Sequence, residues 1–204
     1  MKLKTLEMKL QRLAGFPHPR AALEQYQTPA PLAARLLYHA FMKGDIGGRL
    51  VTDLGSGTGM LAIGAALLGA VEVLGVETDE SAIAVAGANA DLLGVDIRFI
   101  TGDMNDPSLP ARIGTCDTVI MNPPFGAQNV HADRPFIDVA LACAPVTWSI
   151  FNAGSIPFVT TYTAERAAVT DKVSGVFQIP RTFAFHTREV QEISVEILRL
   201  ERIP

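Results

Sequence analysis

Asn122-Pro123-Pro124-Phe125 gathers the groups in this chain best suited to chemistry. The four residues follow an apolar run, Asp117-Thr118-Val119-Ile120-Met121, and precede Gly126 and a polar loop. Two consecutive prolines cannot continue a ladder of backbone hydrogen bonds, so a strand must stop here. It stops on an amide, carbonyls that no longer serve a sheet, and an aromatic ring: hydrogen-bond acceptors beside a stacking face. For the string by itself, a tight turn capping the strand is the plain alternative.

Upstream, Asp53-Leu54-Gly55-Ser56-Gly57-Thr58-Gly59 joins a short apolar strand to a helix of small residues. Glycines at such a joint let the backbone turn sharply and approach a ligand, while the helix N-terminus offers free N–H groups. A dinucleotide fingerprint needs G-x-G-x-x-G, whose third glycine would fall at Met60. The spacing here is G-x-G-x-G, which counts against a nicotinamide cofactor. Val76-Glu77 ends the next strand, where a carboxylate can accept both hydroxyls of a ribose. Gly102-Asp103-Met104 ends the third, where Asp103 can accept a hydrogen bond from an adenine amino group. Asp79 fits the N-cap of a helix over 80–93, and Asp106 fits a turn before Pro107. Singly, Glu77 and Asp103 also read as solvated strand ends. At the ends of consecutive strands behind a glycine loop, they describe a nucleoside cradle.

Such a cradle needs a frame that holds several strand ends side by side. Leu3, Leu6, Leu10 and Leu13 recur at helical spacing over 3–13, ahead of Gly15. Pro17, Pro19 and Pro29 mark an extended connector, followed by a helix over roughly 30–42. Strands at Leu50–Asp53, Val71–Val76, Ile97–Ile100 and 117–121 then alternate with helices over Leu61–Leu68, 80–93 and 135–143. Past Pro145 come a strand near 147–152, a helix within 155–171, and a strand pair at 175–184 and 190–201. The last strand alternates Val190, Glu192, Ser194 and Glu196 against Ile193, Val195 and Ile197, which predicts one wet face for most of its length. The expected fold is α/β: a doubly wound, mostly parallel seven-stranded sheet closed by a C-terminal antiparallel hairpin. Residues 1–204 read as one domain, with N-terminal helices and connector over 1–44 and the strand–helix core over 49–204.

Composition narrows the class. Of the 204 residues, 49% are hydrophobic and 19% charged, a globular balance with no disordered tract. Cys116 and Cys143 lie in apolar neighbourhoods without a CxxC partner, which predicts buried thiols in a reducing compartment and no metal site. No signal peptide is visible, and the apolar stretches are too short and glycine-rich to span a bilayer, so a soluble cytoplasmic protein is expected. The net charge of −4 runs against strong phosphate affinity, which comes from Lys and Arg.

Glycine loop, acid, acid and N-P-P-F, in strand-end order, resembles the class I S-adenosylmethionine-dependent methyltransferases of the amino-methylating type, with their Rossmann-like sheet. The resemblance accounts for the tetrapeptide. An exocyclic amine on adenine is a poor nucleophile because its lone pair is delocalised into the ring. Acceptors at the Asn122 side chain and the Pro123 carbonyl would hold its hydrogens, favour a pyramidal nitrogen and direct its lone pair. Phe125 would stack on the base, contributing ~1–3 kcal/mol. Positioning and electrostatics, without a strong general base, would supply most of the acceleration.

More specifically, Leu23-Glu24-Gln25-Tyr26-Gln27-Thr28-Pro29, then Ala33-Ala34-Arg35, resembles the cofactor-closing segment of the methyltransferase-like protein 5 family. The likeness extends to the leading helix with Gly15-Phe16, the Asp53–Gly59 loop, the run through Asn122-Pro123-Pro124-Phe125-Gly126, and a late Phe183-Ala184-Phe185-His186. It implies an enzyme that methylates N6 of an adenosine in small-subunit ribosomal RNA. S-adenosylmethionine would be its cofactor, and a small zinc-binding activator protein a possible partner. Carried over by position, Gln25 and Thr28 would contact the cofactor beside its methionine end. Asp53, Gly55, Gly57, Thr58, Gly59 and Met60 would form its loop, Glu77 would hold the ribose, and Asp103 with Met104 the adenine. Asn122, Pro123, Pro124 and Phe125 would receive the target base. Without the resemblance, Gln25 and Thr28 read as an ordinary turn before Pro29.

Two segments depart from the family pattern. The late aromatic motif is followed by Thr187-Arg188-Glu189, with one cation where relatives carry several lysines. Trp148-Ser149-Ile150-Phe151-Asn152 ends without the His-Lys that relatives often have. His186 reads as structural, with an RNA contact as the alternative. The 127–135 loop reads as a substrate-gating lid or a surface connector, with His131 and Arg134 its cationic residues. Two other functions stay open on the sequence: methyl transfer to a protein glutamine or a DNA adenine, and a non-catalytic RNA-binding assembly factor that retains the fold.

Overall fold

The computed structural model describes residues 1–20, 24–125, 131–180 and 190–203. Leu50–Leu54 (β1), Glu72–Glu77 (β2), Arg98–Thr101 (β3), Thr118–Met121 (β4) and Val146–Asn152 (β5) pair in parallel. Ala167–Pro180 (β6) and Val190–Arg202 (β7) complete a seven-stranded sheet of order β3-β2-β1-β4-β5-β7-β6. β7 runs antiparallel to both of its neighbours. The doubly wound sheet with a C-terminal antiparallel pair is thus as the sequence predicts.

Helices cover both faces. Leu3–Leu10 (α1), Ala30–Met42 (α2), Met60–Leu67 (α3) and Glu80–Leu93 (α4) pack on one side, around Leu6, Leu36, Ile63, Ile120 and Trp148. Leu109–Ile113 (α5), Arg134–Cys143 (α6) and Ile156–Thr163 (α7) pack on the other, around Met121, Ile137, Phe151 and Val159. β4 is buried along its whole length, as a central parallel strand must be, which is why it reads as an uninterrupted apolar run. α3 is small and apolar because it lies between the sheet and α1 with α2. A Cβ added at Gly64 would collide with Leu37 of α2. α4 begins where Asp79 accepts the Ser81 N–H over 3.0 Å and ends at Gly94 with φ 65°, a cap on each side.

The C-terminal third differs from the sequence reading. The helix expected within 155–171 stops at Thr163, and β6 begins at Ala167 rather than near 175. Locally Glu165-Arg166-Ala167-Ala168 favours helix, but β7 needs a partner as far as Arg202, and Ala167 pairs with it. Tertiary pairing outweighs local preference there. β7 is also not half-wet over its second half. Both of its faces are covered there, with Val195 and Ile197 in one core and Leu198 and Leu200 in the other, and Glu196 is buried with one carboxylate oxygen accepting the Ser174 hydroxyl over 2.7 Å. α5 has no counterpart in the sequence reading. α1 ends at Leu10, although Leu13 beyond it is buried as its spacing predicts.

Cys143 is buried and Cys116 half-buried, both as free thiols. No helix among the described residues is long and apolar enough to cross a membrane. Leu23, Gly126, positions 127–130 of the loop, the Phe183-Ala184-Phe185-His186 motif and Thr187-Arg188-Glu189 lie outside the described residues.

Candidate active site

Register carries the strand ends to one level. Leu54 pairs with Val76 on one side and with Met121 on the other, and Glu77 pairs with Thr101. Gly55, Glu77, Gly102 and Asn122 therefore leave the sheet along one line. The strand order turns back between β1 and β4, the place where connections diverge and open a crevice at the carboxyl edge.

The glycine loop is stitched to β2. Gly55 and Ser56 both donate backbone N–H groups to the Val76 carbonyl, over 2.8 and 2.9 Å. Gly57 N–H donates to Glu77 Oε2 over 2.9 Å, while Glu77 Oε1 accepts the Thr78 and Asp79 N–H groups over 2.9 and 3.0 Å. A carboxylate has about four acceptor positions, so Glu77 is held in place with capacity left for a ligand. Gly55 and Gly57 have φ of 69° and 52°, the left-handed region that other residues adopt at a cost. A Cβ at Gly55 would meet Phe136 at 2.8 Å, and one at Gly57 would meet Phe16 at 2.9 Å. Two rings close over the loop.

Above these strand ends lies a cavity of about 490 Å³, within the roughly 300–1,000 Å³ of small-molecule sites. Gly55, Ser56, Gly57, Thr58 and Met60 form one side, Glu77, Asp103 and Met104 another, and Asn122 with Pro124 a third. Glu24 to Thr28 and Phe16 come from the N-terminal segment, His131 from the turn before α6, and Pro135 and Phe136 from its first turn. Asp53, Gly59, Pro123 and Phe125, which the sequence reading also places at the site, are not among the lining residues. Asp53 is buried beneath the loop, where its Oδ2 accepts the Ala62 N–H of α3 over 2.9 Å and its Oδ1 has no hydrogen-bond partner among the described residues. Burial, with the Glu77 charge adding to it, pushes its carboxyl pKa up to about 8. Gly59 packs against Ile63 and Ala86, and Phe125 faces Tyr26 with ring centroids 5.8 Å apart.

The N-terminal segment is tied down by polar contacts. Gln25 Nε2 donates to Asp79 Oδ2 over 2.8 Å, and Gln25 Oε1 accepts the Arg20 N–H over 2.9 Å. The Gln25 and Ser81 bonds hold the Asp79 carboxyl below its ordinary range. Thr28 Oγ1 accepts from Asn122 Nδ2 over 2.9 Å, so one end of the chain fixes the amide at the end of β4. Asp103 is exposed, with Oδ1 accepting both nitrogens of Asn105.

Ser56 Oγ, Tyr26 Oη and Asn122 Oδ1, all on lining residues, are buried and have no hydrogen-bond partner among the described residues. Burial also pushes the Tyr26 hydroxyl well above its ordinary pKa. Polar atoms in this state are uncommon and mark places where a further group is expected. Sequence reasoning gave no role to Phe16, Ser56, Tyr26 or Phe136. Gly15-Phe16 was visible only as a family likeness, because an isolated aromatic ring in a connector carries no periodic signal.

Comparison with known proteins agrees with this geometry. The methyltransferase small domain family matches residues 31–159. An uncharacterized protein of Methanocaldococcus jannaschii is 39% identical over 211 residues, which span 100% of this chain and 95% of that protein. The Drosophila melanogaster protein named rRNA N(6)-adenosine-methyltransferase Mettl5 is 33% identical over 213 residues, 98% of this chain and 97% of the relative. The crystal structure of a candidate RNA methyltransferase from Pyrococcus horikoshii superposes with a TM-score of 0.91 at 38% identity, covering 100% of this chain and 99% of that one.

Proposed function

The chain belongs to the methyltransferase-like protein 5 family, built on the methyltransferase small domain, and on that footing we propose that it methylates the exocyclic N6 of an adenine in structured RNA, within small-subunit ribosomal RNA. As a member of that family it is an S-adenosylmethionine-dependent N-methyltransferase. When bound, S-adenosylmethionine supplies a methyl group on a positively charged sulfur. The residues present fit that group: a glycine-floored cavity with a fixed carboxylate at Glu77, a second acid at Asp103 and unpartnered polar atoms in its wall. Glu77 would hold the ribose, Asp103 and Met104 the adenine, and Gln25 and Thr28 the methionine side. Gly55, Gly57, Thr58 and Met60 line the space between.

Asn122 carries the reading. Its Nδ2 is fixed on Thr28, which leaves Oδ1 as the group without a hydrogen-bond partner among the described residues. A buried acceptor left unsatisfied costs ~1–3 kcal/mol, and an amino group arriving with two hydrogens relieves that cost. The same hydrogen bond draws the substrate nitrogen away from planarity and makes its lone pair available. The Pro123 carbonyl accepts no hydrogen bond among the described residues and offers a second acceptor. Phe125 packs on Tyr26, whose ring lines the cavity, and the base would stack at that aromatic pair. An adenine in a helix must be unpaired or flipped to reach a recessed site.

A small zinc-binding activator protein and a cytoplasmic setting belong to the same proposal. A net charge of −4 leaves much of the phosphate affinity for a partner to supply. The test uses the purified full chain, small-subunit ribosomal RNA and tritiated S-adenosylmethionine, followed by mass spectrometry of the nucleosides. Label in N6-methyladenosine, lost in Asn122→Ala while calorimetry shows S-adenosylmethionine still binding, is the expected result. Unchanged turnover in that variant rejects the role of Asn122. Label that resists ribonuclease and yields to protease rejects RNA as the acceptor.

A further inference from the structure

Next to the acceptor pocket, α6 and α7 build a ladder of rings and guanidinium groups that starts at the cavity wall. His131 lines the cavity and stacks on Phe158, with centroids 5.8 Å and planes 29° apart. Phe158 stacks in turn on Tyr162, at 5.4 Å and 25°. The Arg134 guanidinium carbon lies 5.0 Å from the Phe158 centroid and 5.5 Å from that of Tyr162. Arg166 sits over Tyr162 at 4.9 Å.

The two arginines differ in charge balance. Arg166 is neutralised by Asp138 over 2.6 Å, and the Tyr162 hydroxyl donates to the same carboxylate over 2.8 Å. Arg134 makes no ion pair among the described residues, and its Nε is buried without a hydrogen-bond partner. Packing of α6 on α7 accounts for the rings and for the Arg166–Asp138 pair. It does not account for a guanidinium that sits over two of those rings with no ion pair among the described residues, only the field of the neighbouring Asp133 carboxylate and a buried Nε. A stacked guanidinium keeps its edge donors for a phosphate. The other end of the ladder is an exposed imidazole at the cavity.

We propose that this ladder is a subsite for the nucleotide adjoining the target adenine, whose base stacks on His131 and whose phosphate pairs with Arg134. The inference rests on the RNA reading above. Charge complementarity and continuity with the cavity favour RNA over a protein segment, because each nucleotide brings one π-face and one anion. Stacking of this kind tolerates any base, so the subsite would add affinity without reading sequence.

The experiment measures binding of the full chain to a fluorescein-labelled single-stranded RNA containing adenine, over a range of salt, for the wild type, Arg134→Gln, Arg134→Lys and Phe158→Leu. None of the substituted side chains lines the cavity. Arg134→Gln and Phe158→Leu are expected to weaken RNA binding about tenfold. S-adenosylmethionine affinity should stay at the wild-type value in all three, and Arg134→Gln should also keep the wild-type melting temperature, while Phe158→Leu should lower it because the ring packs against the core. Arg134→Gln should also flatten the dependence of log K on log salt by about 0.7, the loss of one phosphate contact on a single strand, and Arg134→Lys should restore it. Wild-type RNA affinity and salt slope in Arg134→Gln, with methylation by the wild type intact, overturn the subsite and leave the RNA reading standing. Parallel loss of S-adenosylmethionine affinity in these variants assigns the ladder to packing and overturns it too. A wild type that neither binds nor methylates RNA removes the RNA reading, and the subsite falls with it.

Discussion

Asn122 Nδ2 and Thr28 Oγ1 meet over 2.9 Å, although 94 positions separate the two residues. The bond decides which end of the amide is left for a ligand. Without an acceptor at position 28, the amide can turn over and present its NH2 group, which repels an incoming amine's hydrogens. Thr28→Val keeps the side-chain shape and removes that acceptor. Single-turnover methyl transfer should fall about tenfold or more, the effect of one lost hydrogen bond on a barrier. Because Thr28 also lines the cofactor cavity, the comparison is made at saturating S-adenosylmethionine, where the fall should persist, and Thr28→Ser should behave as wild type. An equal fall in the serine variant would show that the methyl group, not the hydroxyl, matters.

The order of strand ends was legible in the sequence because each strand of the parallel half is short, apolar and closed by a distinctive residue. Gly55, Glu77, Asp103 and Asn122 could be placed at one rim without knowing a single distance. What holds them was not legible. The Gln25–Asp79 and Thr28–Asn122 bonds span 54 and 94 positions, and no local pattern announces a pair so far apart. Asp53 is the opposite case. As the first residue of a glycine-loop motif it reads as ligand-binding, yet its side chain turns inward to the Ala62 N–H of α3. β6 reads as starting late because its first residues have helical preference and acquire strand geometry only from β7.

Gly57 should tolerate no side chain. Its φ of 52° costs a non-glycine residue ~1–2 kcal/mol, and a Cβ would lie 2.9 Å from the Phe16 ring. Gly57→Ala should lower the melting temperature by several degrees and weaken S-adenosylmethionine binding about tenfold, since both the loop and its covering ring must shift. Adding Phe16→Ala relieves the contact but not the backbone, so the double variant should recover only part of the stability. Full recovery in a thermal melt would leave the backbone argument without support.

Asp53 gives stability an inverse pH dependence. Its carboxyl has a pKa of about 8 in the folded chain and about 3.9 when unfolded. Between those values the folded state holds a proton that the unfolded state has released. The unfolding free energy therefore falls as pH rises through that window. The contribution is nil below about pH 4 and at its full cost above about pH 8, where it is on the order of a few kcal/mol. Asp79 acts the other way, since its depressed pKa costs stability only as pH drops below the ordinary carboxylate range. Asp53→Asn keeps a carbonyl for the Ala62 N–H and removes the titration. Its melting temperature should exceed that of the wild type by a margin that grows from about pH 5 to about pH 8. Parallel curves over that range would refute the assignment.

Asp45 ties the N-terminal half to the far side of the sheet. Its Oδ2 accepts Trp148 Nε1 and Arg199 Nε, each over 2.8 Å, and its Oδ1 accepts a second Arg199 nitrogen over 3.3 Å. Its backbone carbonyl accepts the Thr118 hydroxyl over 2.7 Å. The paired carboxylate holds the Arg199 guanidinium well above its ordinary pKa, with Glu201 helping. Asp45→Ala strands the indole N–H of a fully buried Trp148 and leaves the guanidinium to Glu201 and Thr170. Removing one partner of such a buried pair costs about 3 kcal/mol or more. Trp148→Phe leaves the Asp45–Arg199 pair intact, so the loss of its hydrogen bond should cost only about 1 kcal/mol, apart from the smaller ring. Chemical denaturation should rank the two variants in that order, with S-adenosylmethionine affinity unchanged in both because neither residue lines the cavity. A smaller loss in Asp45→Ala than in Trp148→Phe would mean that the indole's volume, not the carboxylate, holds these elements together.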